Sequence, residues 1–169
     1  MNFFTADEHF GHENIIKYCN RPFRNIGEMD SVLIENFNLT VSKNDVTIHA
    51  GDFAWKNEKE YLKKLNGTHI FLKGSHDHWL PDSAKYIYEG MFDLGSECQF
   101  IVVCHYAMRV WGRSHYNSWQ LFGHSHGRLE PAGKQWDVGV DNNNFYPLSL
   151  DEIVEIMKQR PNNFNYLKG

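Results

Sequence analysis

The sequence predicts an α/β fold: two packed mixed β-sheets flanked by helices, a four-layer α/β/β/α sandwich. Three observations carry that prediction. Short runs rich in Val, Ile and Phe, closed by Gly or polar residues, have the length and composition of buried strands. In the first half of the chain they alternate with helical patterns, the order of parallel βαβ units. From about Tyr86 to Val140 strand-like runs follow one another with few helical patterns between them, which predicts an added antiparallel portion.

Phe3-Phe4-Thr5-Ala6 forms the first strand and runs into Asp7-Glu8-His9. Met29, Val32, Leu33 and Phe37 recur at helical spacing and give one apolar face to a helix from roughly Gly27 to Thr40. Val46-Thr47-Ile48 leads through His49 and Ala50 to Gly51-Asp52. A shorter helix from roughly Asn57 to Leu65 has Glu60 placed to support Lys64 and stops at Asn66-Gly67. His69-Ile70-Phe71-Leu72 leads through Lys73 to Gly74-Ser75-His76-Asp77. The run from Phe100 to Cys104 ends at His105, and Trp119-Gln120-Leu121-Phe122 ends at Gly123-His124-Ser125-His126. Asp137-Val138-Gly139-Val140-Asp141 reads as a structural strand entering a turn. Ser149 and Glu152 form a capping box for a last helix whose Leu150, Ile153, Val154 and Met157 make the buried stripe, with Pro161 as its stop. The segment Asn162 to Tyr166 reads as loose surface.

A chain of 169 residues, 41% apolar and 22% charged, is read as one domain spanning 1–169. A net charge of −4 exerts no global pull toward nucleic acid or anionic membrane. No apolar run is long enough to span a bilayer, and no basic leader with an apolar stretch opens the chain, so a cytoplasmic setting is expected. Cys19, Cys98 and Cys104 form no CxxC pair and read as free thiols. Ten histidines is a high count for this length and needs a reason.

The strand ends supply one. Five apolar runs each lead into carboxylates or imidazoles. Ligands of open α/β sheets bind at the carboxyl ends of strands, and such residues converging there make a metal site before anything else. Taken singly, Asp7-Glu8-His9 and Gly51-Asp52 are commonplace. His124-Ser125-His126 says more, because alternate residues at a strand end can both turn toward one cation. The ordered set is specific.

In chain order these residues follow the pattern D-x-H, G-D, G-N-H-D/E, strand-end His and G-H-x-H, matched at Asp7/His9, Gly51-Asp52, Gly74/His76-Asp77, His105 and Gly123-His124/His126. The sequence thereby resembles the calcineurin-like metallophosphoesterase superfamily, as a compact single-domain member without a cap. The resemblance implies a binuclear centre: Asp52 bridging two divalent ions, Asp7, His9 and His126 completing the first site, and His105, His124 and position 75 completing the second. Carboxylate and imidazole ligands together suit Mn²⁺ foremost, then Fe, Zn²⁺ or Ni²⁺, and argue against all-oxygen Ca²⁺ or Mg²⁺ cages. By the same resemblance a bridging hydroxide attacks phosphorus, His76 gives a proton to the leaving oxygen and Asp77 orients the His76 ring. The implied activity is hydrolysis of nucleotide-like or other small phosphodiesters. A phosphomonoesterase of the same fold, or a catalytically impaired metal-binding scaffold, stands as the alternative. The scaffold reading arises from Ser75, which replaces the family's Asn; a serine hydroxyl is shorter and a poorer ligand than an amide oxygen, so weakened second-site affinity and slower turnover are expected. Other binuclear hydrolases fit worse: His76-Asp77-His78 is not the contiguous H-x-H-x-D-H of metallo-β-lactamases, and amidohydrolases carry H-x-H at the first strand.

Outside the motifs, His12, His49, His69, His78 and His115 read as hydrogen-bonded or surface residues, with His49 placed to support the centre from behind. After His105 the chain is rich in Arg109, Trp111, Arg113, His115, Tyr116 and Trp119; Arg109 and Trp111 are the candidate substrate-binding pair, Arg for phosphate and Trp for a base. Arg21-Pro22-Phe23-Arg24 is a second candidate lining segment. The expected partner is a small phosphoester, nucleotides included, with no membrane and no strong nucleic-acid signal; no oligomeric state is legible.

Overall fold

The structure is a computed structural model, in which residues 1–167 are described. One mixed sheet is built from β1 (Asn2–Thr5), β2 (Val46–His49), β3 (Thr68–Phe71) and β8 (Leu148–Ser149), in the order β3-β2-β1-β8. β1, β2 and β3 are parallel, and β8 runs antiparallel to β1. The register aligns Thr5 with His49 and His49 with Phe71, so the three parallel strands end level. Their trailing loops therefore leave the sheet side by side.

The second sheet holds β4 (Ile87–Asp93), β5 (Cys98–Cys104), β6 (Trp119–Phe122) and β7 (Gln135–Asp137), in that order. Only β4 and β5 pair antiparallel; β5, β6 and β7 continue parallel, against the expected antiparallel portion. The crossovers between them are irregular chain, with a single 3₁₀ turn at Ser114–Tyr116, and so offered no helical period to read.

Strand alternation sorts each sheet into two faces. Phe4, Ile48 and Leu72 of the first sheet meet Ile101, Val103 and Leu121 of the second in the inter-sheet core, joined by Leu150, Ile153 and Met157 of α4 (Leu150–Gln159). The other face of the first sheet, through Phe3, packs Ile15 of α1 (Glu13–Tyr18) and Met29, Leu33 and Phe37 of α2 (Ile26–Thr40). Each such fully buried side chain contributes about 1.5–3 kcal/mol. α2 starts on Asn25, whose Oδ1 accepts from Glu28 N at 3.0 Å. The capping box of α4 is formed in both directions, Glu152 N to Ser149 Oγ at 3.2 Å and Ser149 N to Glu152 Oε2 at 2.8 Å.

Two expectations shift, and one element was not expected. α3 (Glu58–Leu62) stops early, and Glu60 meets Lys63 at 2.7 Å instead of Lys64. α1 has six residues and no side-chain cap, too little for a periodic signal. The segment after α4 is docked, not loose: Asn163 is buried, its Nδ2 donating to Ser114 O at 3.0 Å and Ser118 O at 2.9 Å. No helix among the described residues is long and apolar enough to cross a membrane.

Candidate metal centre

The loops that follow the strands bring the candidate ligands together in two groups. Ligand atoms of Asp7, His9 and His126 lie within 4.8 Å of one another, and so do those of Asp52, His105 and His124. The groups share Asp52, whose Oδ2 is 3.7 Å from His9 Nε2 and 3.3 Å from His105 Nε2. Ser75 reaches the same carboxylate, its Oγ donating to Asp52 Oδ2 at 3.0 Å.

Sharp turns aim these side chains inward. Asp7, His9, Asp52, His124 and His126 all have left-handed backbones, with φ between 49° and 66°. Such conformations cost a non-glycine residue of order 1–3 kcal/mol each and persist only where the surroundings enforce them. Here a ladder does so: Asp7 N donates to Gly51 O (3.0 Å), His9 N to Asp52 O (3.0 Å) and Phe10 N to Phe53 O (2.9 Å). His124 N closes the second sheet onto the first by donating to Asp7 Oδ2 at 2.8 Å. Gly123 is required by that approach, since a Cβ there would lie 2.8 Å from Asp7 Oδ2.

Asp77 does not orient the His76 ring. Its buried carboxylate accepts from Asp52 N (2.7 Å), Gly74 N (2.8 Å), Phe53 N (3.0 Å) and Trp79 Nε1 (3.1 Å), so its oxygens are taken by the two neighbouring loops. His76 is held by its backbone N, which donates to Asp52 Oδ1 at 2.8 Å, and its half-buried ring lies 5.3 Å from that of His9.

Two polar networks stand behind the ligands. His126 Nδ1 donates to Asp141 Oδ2 at 2.7 Å, and Arg21 clamps the same carboxylate. Arg21 is buried and also donates to the carbonyls of Asp7 (2.6 Å) and Glu8 (3.0 Å). Arg21 therefore builds the site instead of lining it, and Arg24 points outward to Glu28. Asp141, read from sequence as structural, fixes the ring of the candidate ligand His126; the one sequence signal was an acid at the end of a strand-to-turn segment. In the second network His49 Nδ1 meets Glu8 Oε1 at 2.6 Å and His49 Nε2 meets His69 Nδ1 at 3.0 Å, tying the Asp7–His9 turn to β2 and β3 from behind.

Burial and neighbouring charges set the protonation of the candidate ligands. Burial drives the Asp7 carboxyl up to about 7, against the opposing pull of His126 and His105. Burial also pushes His9 far below the ordinary imidazole range, which leaves it neutral and free to ligate. His126 is the reverse: burial opposes its charge, yet its hydrogen bonds with Asp141 and Cys19 and the charge of Asp7 prevail and raise it to about 10. Asp7 Oδ1 and His9 Nε2 are buried without a hydrogen-bond partner. Orphaned donors and acceptors of this kind need an explanation, and a cation bound between them gives one. His105 Nδ1 donates to Ala50 O (2.9 Å) and His126 Nδ1 is on Asp141, which leaves Nε2 of each ring as the nitrogen for a metal; that of His105 lies 3.2 Å from His124 Nδ1. The donor set fits divalent transition metals.

A cleft of about 450 Å³ opens over the centre, bounded by His9, His12, Tyr18, Trp55, His76 and Arg128. Arg109 and Trp111 are not among its walls. They line a separate cavity of about 170 Å³ with Met108 and Phe164; the Arg109 guanidinium lies over the Phe164 ring at 5.2 Å, and Trp111 is buried with Nε1 bonded to Ser118 O at 3.2 Å. His12 is a hydrogen-bonded residue, its Nδ1 3.4 Å from that of His9, and its ring also faces the cleft.

No protein-family model matches the chain. The chain is 31% identical, over 173 aligned positions, to the uncharacterized protein MJ1445 of Methanocaldococcus jannaschii, and the alignment covers 93% of this chain and 91% of that protein. It belongs to the family of that protein. Among solved structures, the protein of unknown function AQ665 from Aquifex aeolicus matches with a TM-score of 0.68 at 25% identity, over 92% of this chain and 98% of its own. A conserved uncharacterized protein of Streptococcus pneumoniae, described as a predicted phosphoesterase, aligns over 74% of this chain and 62% of its own, at 16% identity and a TM-score of 0.41.

Proposed function

We propose that the chain is a metal-dependent phosphoester hydrolase of the calcineurin-like type, one domain spanning 1–169, acting on nucleotide-like or other small phosphodiesters. The observation that carries this reading is the position of Asp52, with one carboxylate oxygen facing ligands of both groups. Asp7, His9, His126 and Asp52 would hold one divalent ion, and Asp52, His105, His124 and position 75 the other, Mn²⁺ foremost. Such a pair supplies Lewis acidity and an acidified water near phosphorus.

The chain's own residues do the rest. Asp7, buried and aligned by His124 N, and Asp52, aligned by His76 N, keep the charge of the centre fixed before substrate arrives. His76 stands at the cleft with its ring free, placed to pass a proton to the oxygen that leaves phosphorus. General acid assistance of that kind is worth roughly 10²–10⁴-fold. Water oxygen joins phosphorus, the ester P–O bond breaks, and the departing alkoxide leaves as an alcohol.

Metal analysis paired with assays on bis-p-nitrophenyl phosphate and p-nitrophenyl phosphate, with and without Mn²⁺, tests the proposal. Two metal equivalents and Mn²⁺-dependent hydrolysis with the diester preferred are expected. Hydrolysis of the monoester alone would make the protein a phosphatase. Fewer than one metal equivalent and no turnover of either substrate would leave a metal-binding scaffold.

A further inference from the structure

We propose that Trp55, backed by His12 and flanked by Tyr18, is a stacking shelf for the leaving half of the substrate, and that this half is a nucleoside. The inference rests on the phosphoesterase reading for which half leaves, and on the shelf itself for what is bound.

Trp55 is 49% exposed and Tyr18 64% exposed, yet neither is a stray surface aromatic. Both line the cleft above the metal ligands. The backbone that carries the indole is held in place: Trp55 N donates to Phe10 O at 2.9 Å, and the adjoining Ala54 pairs with Phe10 in a parallel bridge. One face of the indole is covered by the His12 ring, nearly parallel at 16° and 4.5 Å between centroids. Tyr18 stands edge-on to His12 at 6.3 Å, and its carbonyl accepts from Arg128 Nη2, which sets a cation at the rim of the cleft. A rigid, partly solvated indole beside a phosphate-sized centre is the arrangement on which a flat base stacks with little ordering cost.

The side is set by His76. Its ring lies 5.3 Å from that of Trp55, so the group whose oxygen receives the His76 proton departs over the indole. In balanced form, water attacks phosphorus, the P–O bond to the nucleoside breaks, His76 protonates the nucleoside oxygen, and the products are a nucleoside and the phosphomonoester of the other half. Stacking of a base on one aromatic side chain is worth about 5- to 150-fold in affinity.

The test is equilibrium binding of adenosine 5′-monophosphate and of ribose 5-phosphate to the Mn²⁺-loaded protein, by calorimetry. Adenosine monophosphate should bind at least about fivefold more tightly. Trp55→Ala should abolish that preference, Trp55→Phe should keep most of it, and ribose 5-phosphate should bind all three proteins alike. Retention of the preference in Trp55→Ala overturns the shelf. If Trp55→Ala does not fold, Tyr18→Ala, on an exposed side chain, carries the same readout with a smaller loss, and an unchanged preference there overturns it too. Hydrolysis is read separately on the methyl ester of adenosine 5′-monophosphate: adenosine plus methyl phosphate supports the assigned side, and adenosine monophosphate plus methanol overturns it. A base preference without hydrolysis of any ester would sink the phosphoesterase reading and keep the shelf; turnover of bis-p-nitrophenyl phosphate without a base preference would do the opposite.

Discussion

Arg21 and Asp141 are joined by two hydrogen bonds, Nε to Oδ1 at 2.8 Å and Nη2 to Oδ2 at 2.7 Å, across 120 residues of sequence. The pair links the Asp7–Glu8 carbonyls on one side to the His126 ring on the other, so one buried ion pair holds two of the candidate ligands in place. Removing the cation alone strands a buried carboxylate, and Arg21→Ala should cost about 3–5 kcal/mol in chemical denaturation. Asp141→Asn keeps an acceptor for Arg21 but weakens the hold on His126. It should fold, and lower first-site metal affinity by roughly 10–100-fold. Unchanged metal affinity would reduce Asp141 to a packing role.

Metal uptake should release protons. The folded pKa of Asp7 is raised from 3.8 to about 7, so its contribution to metal-free stability is present below pH 3.8 and lost as pH rises through about 7. That of His126 is raised from 6.5 to about 10, so its contribution is present below pH 6.5 and lost as pH rises through about 10. Near neutral pH both groups hold protons that a cation must displace. Titration with Mn²⁺ at pH 6.5 in a weakly buffered indicator dye should therefore show protons released with the metal. Affinity should tighten with pH and level off above about 10. Uptake with no proton release would contradict the ligand assignment.

Ser75→Asn should strengthen the second site. The serine hydroxyl now spends itself on Asp52 Oδ2. An amide oxygen reaching beyond that carboxylate adds a ligand, and a gain of about tenfold in second-site affinity corresponds to 1.4 kcal/mol. Turnover at low metal should rise with it. Equal stoichiometry, affinity and rate in the two proteins would remove position 75 from the ligand set.

His76→Ala should leave metal content intact while lowering kcat by roughly 10²–10⁴-fold on alkyl esters. The loss should be much smaller on p-nitrophenyl esters, whose leaving group needs little protonation. An equal loss on both would point to a ground-state binding role.

The clustering of the candidate ligands was legible because they sit in short motifs at strand ends, and the level register of β1, β2 and β3 brings such ends together. The glycines of those motifs were legible as spacing, though not as the close approaches they permit. The cleft was not legible. His12, Tyr18, Trp55 and Arg128 come from three separate stretches, and α1, which follows His12 and carries Tyr18, has a single buried residue, Ile15, and so no period. Arg109 and Trp111 drew attention because they cluster in sequence, but the cluster folds around Phe164 instead. Asp77 illustrates the same limit: expected behind the His76 ring, it instead accepts from four N–H groups that no motif records.

Gly139 carries no functional group, yet a methyl added there would sit 2.7 Å from Asp7 Oδ2 and 2.9 Å from Asp137 Oδ1. Gly123 is enclosed in the same way from the other side, 2.6 Å from the Ala6 methyl. In a saturation-mutagenesis screen scored by metal retention, these two blank positions should rank with the ligands themselves, and Gly139→Ala should lose metal as severely as His126→Ala. The mutational landscape of such a site is then set as much by the moulding of empty space around one carboxylate as by the residues that do chemistry.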